Sequence, residues 1–275
     1  MPAKIKNLLK RFVPLPAKQT LEQNRQIMKE LESIKKMLKV HTKKAVENRF
    51  CPACGMGASM FAPFGITIKR PNAQCLSCRS LERHRTLLLY LDRKTNIFST
   101  DQPLKLVCLL HFAPEPVFFD KFSKLQHIEY YPVDFDTNRY KGLRDIVDIQ
   151  CIPYGNDIFD IIICSHILEH VPDDHKAMTE LHRVLKSDGT AYISIPDYNA
   201  PEKTYEDSSH NTPELRLEHY GQKDHLRIYG KDFSLKLESA GFNVEILEPN
   251  KFMPESELLR YGLIREERIY KCMKG

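Results

Sequence analysis

The sequence predicts an α/β protein built on a mostly parallel sheet of seven strands, with helices on both faces. Short apolar runs alternate with helical stretches from Leu104 onward, and such an alternation is typical of parallel sheets. The runs Leu104–Phe112 and Phe159–Ser165 are apolar almost throughout, as expected of strands that are covered on both sides. Two pairs of cysteines ahead of these runs predict a smaller N-terminal module.

The individual elements follow from the apolar runs and from the residues that end them. Seven strands are predicted, at residues 104–112, 127–135, 144–149, 159–165, 190–195, 242–247 and 268–273. Helices are predicted at 116–125, from Asp173 or Asp174 to Lys186, and at 231–240. Asp188-Gly189 and Gly241 are expected to end the last two helices. Because ligands bind beyond the carboxyl ends of such strands, the residues that follow each strand are the candidate site residues.

Composition limits the class of protein. The chain has 275 residues, 42% of them hydrophobic, which suits one large globular domain and a smaller appendage. No apolar run approaches the roughly 20 residues of a membrane span, and polar residues interrupt Ile5–Val13, which argues against a secretory signal. The eight cysteines do not form a disulfide framework for a chain of this length, so a reducing, cytoplasmic location is expected.

Residues 1–49 form a basic arm. They carry a net charge of +9 against +5 for the whole chain, so the remainder is net acidic at −4. Such an arm is suited to anionic lipid, nucleic acid or an acidic glycan, or is simply a solvated helix face. Thr20 is a candidate cap of a helix through about Val46, and a short heptad pattern runs along Ile27, Leu31, Ile34 and Leu38. The pattern fits either a homodimer contact or packing on the chain's own domain.

Residues 50–98 are predicted to be a cysteine-rich module and the helix after it. Twenty residues separate its two Cys-x-x-Cys pairs, which are Cys51, Cys54, Cys75 and Cys78. This spacing matches a tetrahedral four-cysteine zinc site of zinc-ribbon type, which would be structural because four thiolates complete the coordination shell. Unliganded or redox-active thiols are the alternative.

A helix is predicted to follow the second pair, with Ser80 as its cap and Leu81, Leu88 and Leu91 on one face. Four basic residues lie at its start, where they face either an anionic substrate or local acids: Arg79, Arg83, His84 and Arg85.

The ends of the first three strands suggest a nucleotide-type site. Ala113 is small where a glycine-rich turn is usual, although the turn alone reads as a simple strand-to-helix connection. Asp134 follows about 20 residues later, at the spacing of a carboxylate that binds both ribose hydroxyls of an adenosine. At the end of the third strand, Asp148 is suited to the adenine amino group and Ile149 to the ring. An exposed strand-end aspartate is the alternative for Asp134.

The most specific segments are Phe159–Pro172, Leu181–Gly189 and Ile193–Pro196. Their order of strand, His/Glu-rich turn, helix with an Arg-Val-Leu-Lys core, Gly turn and strand resembles the methyltransferase type-11 family of class I S-adenosylmethionine enzymes. The resemblance spans about residues 104–275 and implies a Rossmann-like methyltransferase domain at residues 99–275.

The same resemblance implies S-adenosylmethionine as cofactor and a pocket of Ala113, Glu115, Asp134, Asp148, Ile149 and Ser165. The chain departs from the family at the first loop, which normally holds an acidic residue and Gly-x-Gly. There Pro114 removes a backbone donor, and Glu115 is a candidate partner of the methionine amino group.

Candidate acceptor residues follow the fourth strand and occupy the insertion at residues 197–230. Methyl transfer needs an aligned acceptor atom and, for a hydroxyl, a base, which is commonly His. His166 and His225 are the candidate bases, with His170 nearby. His225, Arg227 and Tyr229 alternate and so share one face of an extended segment. Packing or capping by His166, and a purely structural loop at 197–230, are the alternatives.

These features predict methyl transfer to an O or N atom of a polar acceptor, such as a sugar or glycan intermediate. An RNA methyltransferase is a rival, although the acidic body disfavours a phosphate-binding surface. The other rival is a non-catalytic zinc-containing scaffold whose first loop has lost the cofactor. The arm allows peripheral membrane contact in any of these cases.

Overall fold

The computed structural model describes residues 22, 24–32, 48–65, 69–99, 105–136, 141–197 and 200–275. The chain divides into two compact units, residues 1–47 and 48–275. In the first unit residues 24–32 are helical, with Ile27 and Leu31 exposed. The rest of the predicted helix and its heptad positions lies outside the described residues, so the homodimer contact stays a prediction. None of the helices in the described ranges combines the length and the apolar character needed to cross a membrane.

The second unit begins with the cysteine-rich module. Its strands β1 (Arg49–Phe50) and β2 (Gly57–Ala58) pair antiparallel, as do β3 (Ala62–Phe64) and β4 (Arg70–Gln74). Helix α1 (Glu82–Lys94) follows.

The predicted cap of α1 is wrong. Leu81 is the N-cap residue, and its backbone N–H donates to His84 Nδ1 at 3.1 Å. The hydroxyl of Ser80 instead lies 3.2 Å from the sulfurs of both Cys51 and Cys78. The Ser80 side chain therefore contacts the cysteine sulfurs and does not cap the helix.

Within the described residues, seven strands form the large sheet, as predicted. They are β5 (Val107–Phe112), β6 (Ile128–Asp134), β7 (Asp145–Ile146), β8 (Phe159–Ser165), β9 (Leu185–Ser194), β10 (Phe242–Leu247) and β11 (Ile269–Lys274). Their order is β7-β6-β5-β8-β9-β11-β10. The first five are parallel, and β11 runs antiparallel between β9 and β10. The Rossmann-like, mostly parallel fold is confirmed.

Helices cover both faces of this sheet. After α1 they are α2 (Pro116–Phe122), α3 (Asp174–Val184), α4 (Pro213–Tyr220), α5 (Phe233–Ser239), α6 (Pro249–Phe252) and α7 (Glu255–Tyr261). Leu110 and Ile162 pack with α3 and α5, whereas their neighbours Leu109 and Ile163 pack with α1 and α2. Successive residues of a strand point to opposite faces, which is why these two runs are apolar throughout.

The predicted boundary between α3 and the fifth strand is displaced. The helix ends at Val184 and β9 starts at Leu185, while the register with β8 shifts so that Ile161 pairs with Thr190. Gly189 lies in this bulge and not at a helix cap. A Cβ there would lie 2.9 Å from the carbonyl oxygen of Phe159, so close backbone packing explains this glycine.

Candidate functional site

The four predicted metal ligands come together. The sulfurs of Cys51 and Cys78 are 3.6 Å apart and those of Cys54 and Cys75 are 3.8 Å apart, and all four lie within 4.8 Å of one another. A tetrahedron with Zn–S bonds of about 2.3 Å has edges of about 3.8 Å. The donor set and its spacing therefore fit a zinc ion.

The two cysteine pairs have the same backbone geometry. In each pair, the residue after the second cysteine has a left-handed backbone conformation, with a φ of +74° at Gly55 and +61° at Arg79. Its N–H donates to the carbonyl of the first cysteine, at 2.8 Å in the Cys51 pair and 3.0 Å in the Cys75 pair.

Backbone N–H groups also donate to sulfur in both pairs, from Ala53 and Cys54 to Cys51, and from Ser77 and Cys78 to Cys75. Hydrogen bonds of this kind stabilise thiolates. They support a metal site over an accidental cluster of thiols.

The predicted ribose-binding residue has a free acceptor atom. Asp134 ends β6 and is 7% exposed. One carboxylate oxygen accepts from the Asp136 N–H at 3.1 Å, while Oδ2 is buried and bonds to none of the described residues. An unsatisfied buried carboxylate oxygen is costly unless a ligand donates to it. Ala113 lies beside Asp134, at the end of β5. Its backbone is left-handed, with a φ of +45°, and its N–H donates to the Val133 carbonyl oxygen.

The remaining predicted cofactor residues lie at the same edge of the sheet. Strand β7 is shorter than predicted, and the Val147 N–H donates to Asp134 O at 3.0 Å, which keeps the next residues beside β6. Asp148 Oδ1 accepts from the Gln150 backbone N–H at 2.8 Å. Ile149 is buried in the core. Ser165 ends β8, and its hydroxyl is 3.0 Å from that of Ser194.

Glu115 is occupied by two histidines. Its Oε2 lies 3.0 Å from His111 Nε2 and its Oε1 lies 3.3 Å from His84 Nε2. Burial favours its protonated form, but the two imidazoles outweigh this effect and hold the pKa of Glu115 well below its usual range. The carboxylate therefore ties the first loop to α1, and we no longer assign it to the methionine amino group. The i, i+4 spacing to His111 was visible in the sequence, whereas the contact with His84 was not.

His166 lies where the sequence places a base. Its backbone has a left-handed conformation, with a φ of +54°, and its N–H donates to the Ser194 carbonyl oxygen at 2.9 Å. Burial and the charge of Arg83 hold the pKa of His166 well below its usual value. A neutral imidazole results, which is the form that accepts a proton. Nδ1 of His166 lies 3.6 Å from Glu169 Oε1.

Glu169, His170 and His225 form a second cluster of polar groups, which we call the histidine cluster. The rings of His170 and His225 are 4.7 Å apart, and the three residues offer ligand atoms within 4.8 Å of one another. Burial raises the pKa of Glu169 to about 8, and burial together with His170 lowers that of His225 to about 4. The sequence predicted the two histidines but not the role of Glu169, because nothing local marks it as buried.

Two predicted acceptor residues of the insertion have structural partners. Arg227 is 1% exposed, and its guanidinium donates to both oxygens of Glu206 and to the carbonyls of Leu168 and Val171. Tyr229 is equally buried and donates to Asp174 Oδ2 at 2.9 Å. His225, Arg227 and Tyr229 are all buried while the residues between them are less so. Of these three residues of the insertion, we therefore retain only His225 as a candidate acceptor residue.

The basic residues at the start of α1 also separate into two kinds. Arg79 is exposed. Arg85 is fully buried and donates to four backbone carbonyls, those of Ala73, Ser80, Tyr261 and Gly262. These bonds join the module to the C-terminal segment.

Arg83 has a buried Nε without a partner in the described part of the chain, and its charge acts on His166 and Glu169. Arg83 acts on the site through its charge and His84 through its contact with Glu115.

The fold, with candidate ligand residues at the ends of its parallel strands, is that of class I S-adenosylmethionine-dependent methyltransferases. A family model described as a methyltransferase domain matches residues 106–247, and the chain belongs to that family. The resemblance to class I S-adenosylmethionine-dependent methyltransferases that was inferred from the sequence is confirmed.

Two curated relatives align over limited lengths. The ubiquinone biosynthesis O-methyltransferase of Glaesserella parasuis is 32% identical over 120 residues, which are 43% of this chain and 39% of the relative. The uncharacterized methyltransferase YcgJ of Bacillus subtilis is 42% identical over 53 residues, or 19% of this chain and 20% of the relative. The crystal structure of YcgJ has a TM-score of 0.45 at 16% identity, covering 70% of this chain and 99% of that one.

Proposed function

We propose that the chain methylates an oxygen or nitrogen atom of a polar acceptor, with His166 as the base. The observation that carries the proposal is the pairing of two features at one edge of the sheet. Asp134 keeps a buried oxygen without a partner among the described residues at the end of β6, and a neutral imidazole follows β8. The carboxylate oxygen of Asp134 is suited to accept hydrogen bonds from ribose hydroxyls, and the neutral imidazole of His166 is suited to take a proton from the acceptor.

The cofactor would be held by residues at the ends of β5, β6 and β7. Asp134 would accept from the ribose hydroxyls, Ala113 would allow a close approach of the backbone, and Asp148 with Ile149 would contact the adenine. When bound, S-adenosylmethionine would supply the methyl group, with its sulfonium sulfur as the leaving group that keeps the bonding electron pair. His166 would take the proton of the acceptor atom whose lone pair receives the methyl group.

The surroundings of His166 favour a polar acceptor. Arg83, Glu169 and the histidines of the cluster bring charged and hydrogen-bonding groups to this side. An oxygen acceptor is further supported by the relative named as an O-methyltransferase of ubiquinone biosynthesis. A sugar or glycan hydroxyl remains the acceptor class that we propose, and a cytoplasmic location remains part of this proposal.

The proposal is tested by transfer of a labelled methyl group from S-adenosylmethionine to a panel of sugars, phenols, amines and RNA. His166→Gln is compared with His175→Gln, since His175 is exposed on α3. We expect transfer to a hydroxyl or amine, with kcat reduced about 100-fold or more in the first variant only, as for loss of a general base. Transfer to RNA alone, or full activity in His166→Gln, would contradict the proposal.

A further inference from the structure

The histidine cluster has the composition of a metal site distinct from the four cysteines. Glu169 and His170 belong to the short 3₁₀ turn Leu168–His170 that follows β8, and His225 comes from the insertion. We propose that these three side chains bind a divalent transition-metal ion on the acceptor side of the cleft. Two imidazoles and a carboxylate are a common ligand set for such ions.

Glu169 and His225, two members of the histidine cluster, are buried with polar atoms that lack partners among the described residues. Glu169 is 1% exposed, and neither of its carboxylate oxygens has a hydrogen-bond partner within the described ranges. His225 is 5% exposed, and its Nε2 is likewise unpartnered there. The contact from His166 Nδ1 to Glu169 Oε1 is 3.6 Å, which is too long for a hydrogen bond. Buried polar groups are rarely left in this state, and one cation would satisfy both residues.

Neighbouring groups of Asp224 orient the imidazole of His170. His170 Nδ1 lies 3.2 Å from the Asp224 carbonyl oxygen and 3.3 Å from its carboxylate. With the Nδ1 proton donated to Asp224, Nε2 of His170 carries the lone pair that a metal requires. Histidine ligands are commonly oriented by a carboxylate or carbonyl in this way.

Contacts with the backbone of the 3₁₀ turn fix the position of His225. The Leu226 N–H donates to Glu169 O at 2.8 Å. The guanidinium of Arg227 holds the carbonyls of Leu168 and Val171. The insertion is therefore joined to the 3₁₀ turn on both sides of Glu169, so the ligands from the two segments are held together before any ion binds.

Three protein ligands leave coordination positions open, in contrast to the closed four-cysteine site. An open position suits an acceptor oxygen, and this part of the inference rests on the proposed function. Metal binding itself does not depend on it. Mn²⁺ separates the two sites experimentally, because thiolates select softer ions whereas carboxylate and imidazole accept Mn²⁺.

The test is a Mn²⁺ titration of the zinc-replete full chain, followed by electron paramagnetic resonance. We expect one bound Mn²⁺ per chain, with affinity reduced at least about tenfold in Glu169→Gln and His225→Asn, as for removal of a ligand or its support. His175→Asn is the matched control and should bind as the native chain does. Coupling of the bound Mn²⁺ to imidazole ¹⁴N in the native chain provides a second readout that requires no variant.

Absence of Mn²⁺ binding by the native chain, absence of ¹⁴N coupling, or unchanged affinity in both variants would overturn the proposal. S-Adenosylhomocysteine binding is measured on the same samples. Failure of that binding with Mn²⁺ binding intact would contradict the proposed function and leave the metal site standing.

Discussion

At the scale of single residues, the buried polar groups of this protein fall into two kinds. Arg85 and Arg227 are buried with their donors taken up by carbonyls or a carboxylate. Asp134, Glu169 and His225 are buried with an atom that bonds to nothing in the described part of the chain. The first kind stabilises the fold. Asp134, Glu169 and His225 also lie at the candidate site, so we infer that their unpartnered atoms face ligands.

Sequence alone could not separate these two kinds. Arg85 donates to the carbonyls of Tyr261 and Gly262, which are 176 and 177 positions away, so its role depends on contacts that no local pattern encodes. Arg83, two positions earlier, has the same charge and instead acts electrostatically on His166 and Glu169. Residue type and position after a strand predicted which region is functional, but not which of its polar residues are free.

The structural role of Arg227 predicts a loss of stability without a loss of acceptor affinity. Arg227→Lys keeps the charge but cannot reproduce the paired bonds to Glu206 or those to the carbonyls. We expect the free energy of unfolding to fall by about 3 kcal/mol, because buried acceptors lose their donors. Urea unfolding measures this change. A stable variant with a raised acceptor KM would instead support the acceptor role predicted from the sequence.

Asp197 predicts a pH dependence of stability. Burial raises the pKa of Asp197 to about 6, although Arg268 opposes the shift. The native state therefore keeps this proton between about pH 4 and 6 where the unfolded chain has lost it, and stability falls as pH rises through that window. Asp197→Asn should remove this fall in the free energy of unfolding. Relative to the native protein, the variant should therefore be roughly 1–2 kcal/mol more stable at pH 7 than it is at pH 4. Parallel stability curves for the two proteins, from unfolding at each pH, would contradict this account.

At the scale of elements, α1 connects the cysteine module to the cofactor loop. Its apolar face belongs to the same buried cluster as β5 and α2. His84, in its first turn, contacts Glu115 at the start of α2. The module therefore supports the loop on which the cofactor would rest.

Disruption of the proposed zinc site should consequently weaken cofactor binding. Cys54→Ser would remove one proposed ligand, which would free the start of α1 and with it the contact from His84 to Glu115. We expect S-adenosylhomocysteine to bind about tenfold more weakly, a cost of about 1.4 kcal/mol, as measured by calorimetry. Cys151→Ser is the control, since Cys151 is an exposed free cysteine. Equal affinity in both variants would show that the module and the loop are independent.

At the scale of the whole molecule, the sheet was predictable because its strands are bounded by clear signals. Phe159–Ser165 and Phe242–Leu247 have the predicted bounds, since the first is a buried apolar run and the second follows Gly241. The boundary at Val184 was missed because Gly189 reads as a helix cap, whereas it lies in a bulge against Phe159. A pattern of residue types does not distinguish two structural uses of the same glycine.

The cysteine module and the sheet also belong together in a way that the sequence did not indicate. Residues 48–275 form one compact unit, and α1 lies in its core. The pairing of Arg85 with the Tyr261 and Gly262 carbonyls fixes the same arrangement from the other end of the chain. We therefore expect the module and the sheet to unfold in one transition.

We infer that Asp134 belongs to a working cofactor site, and calorimetric titration with S-adenosylhomocysteine is the decisive test of this claim. Native zinc-replete protein is compared with Asp134→Ala and with Asp120→Ala, because Asp120 is exposed on α2. We expect micromolar binding in the native chain and the control, and a loss of about 10- to 100-fold in Asp134→Ala, as for hydrogen bonds to a charged group. No binding by the native chain, or equal affinity in Asp134→Ala, would contradict the claim.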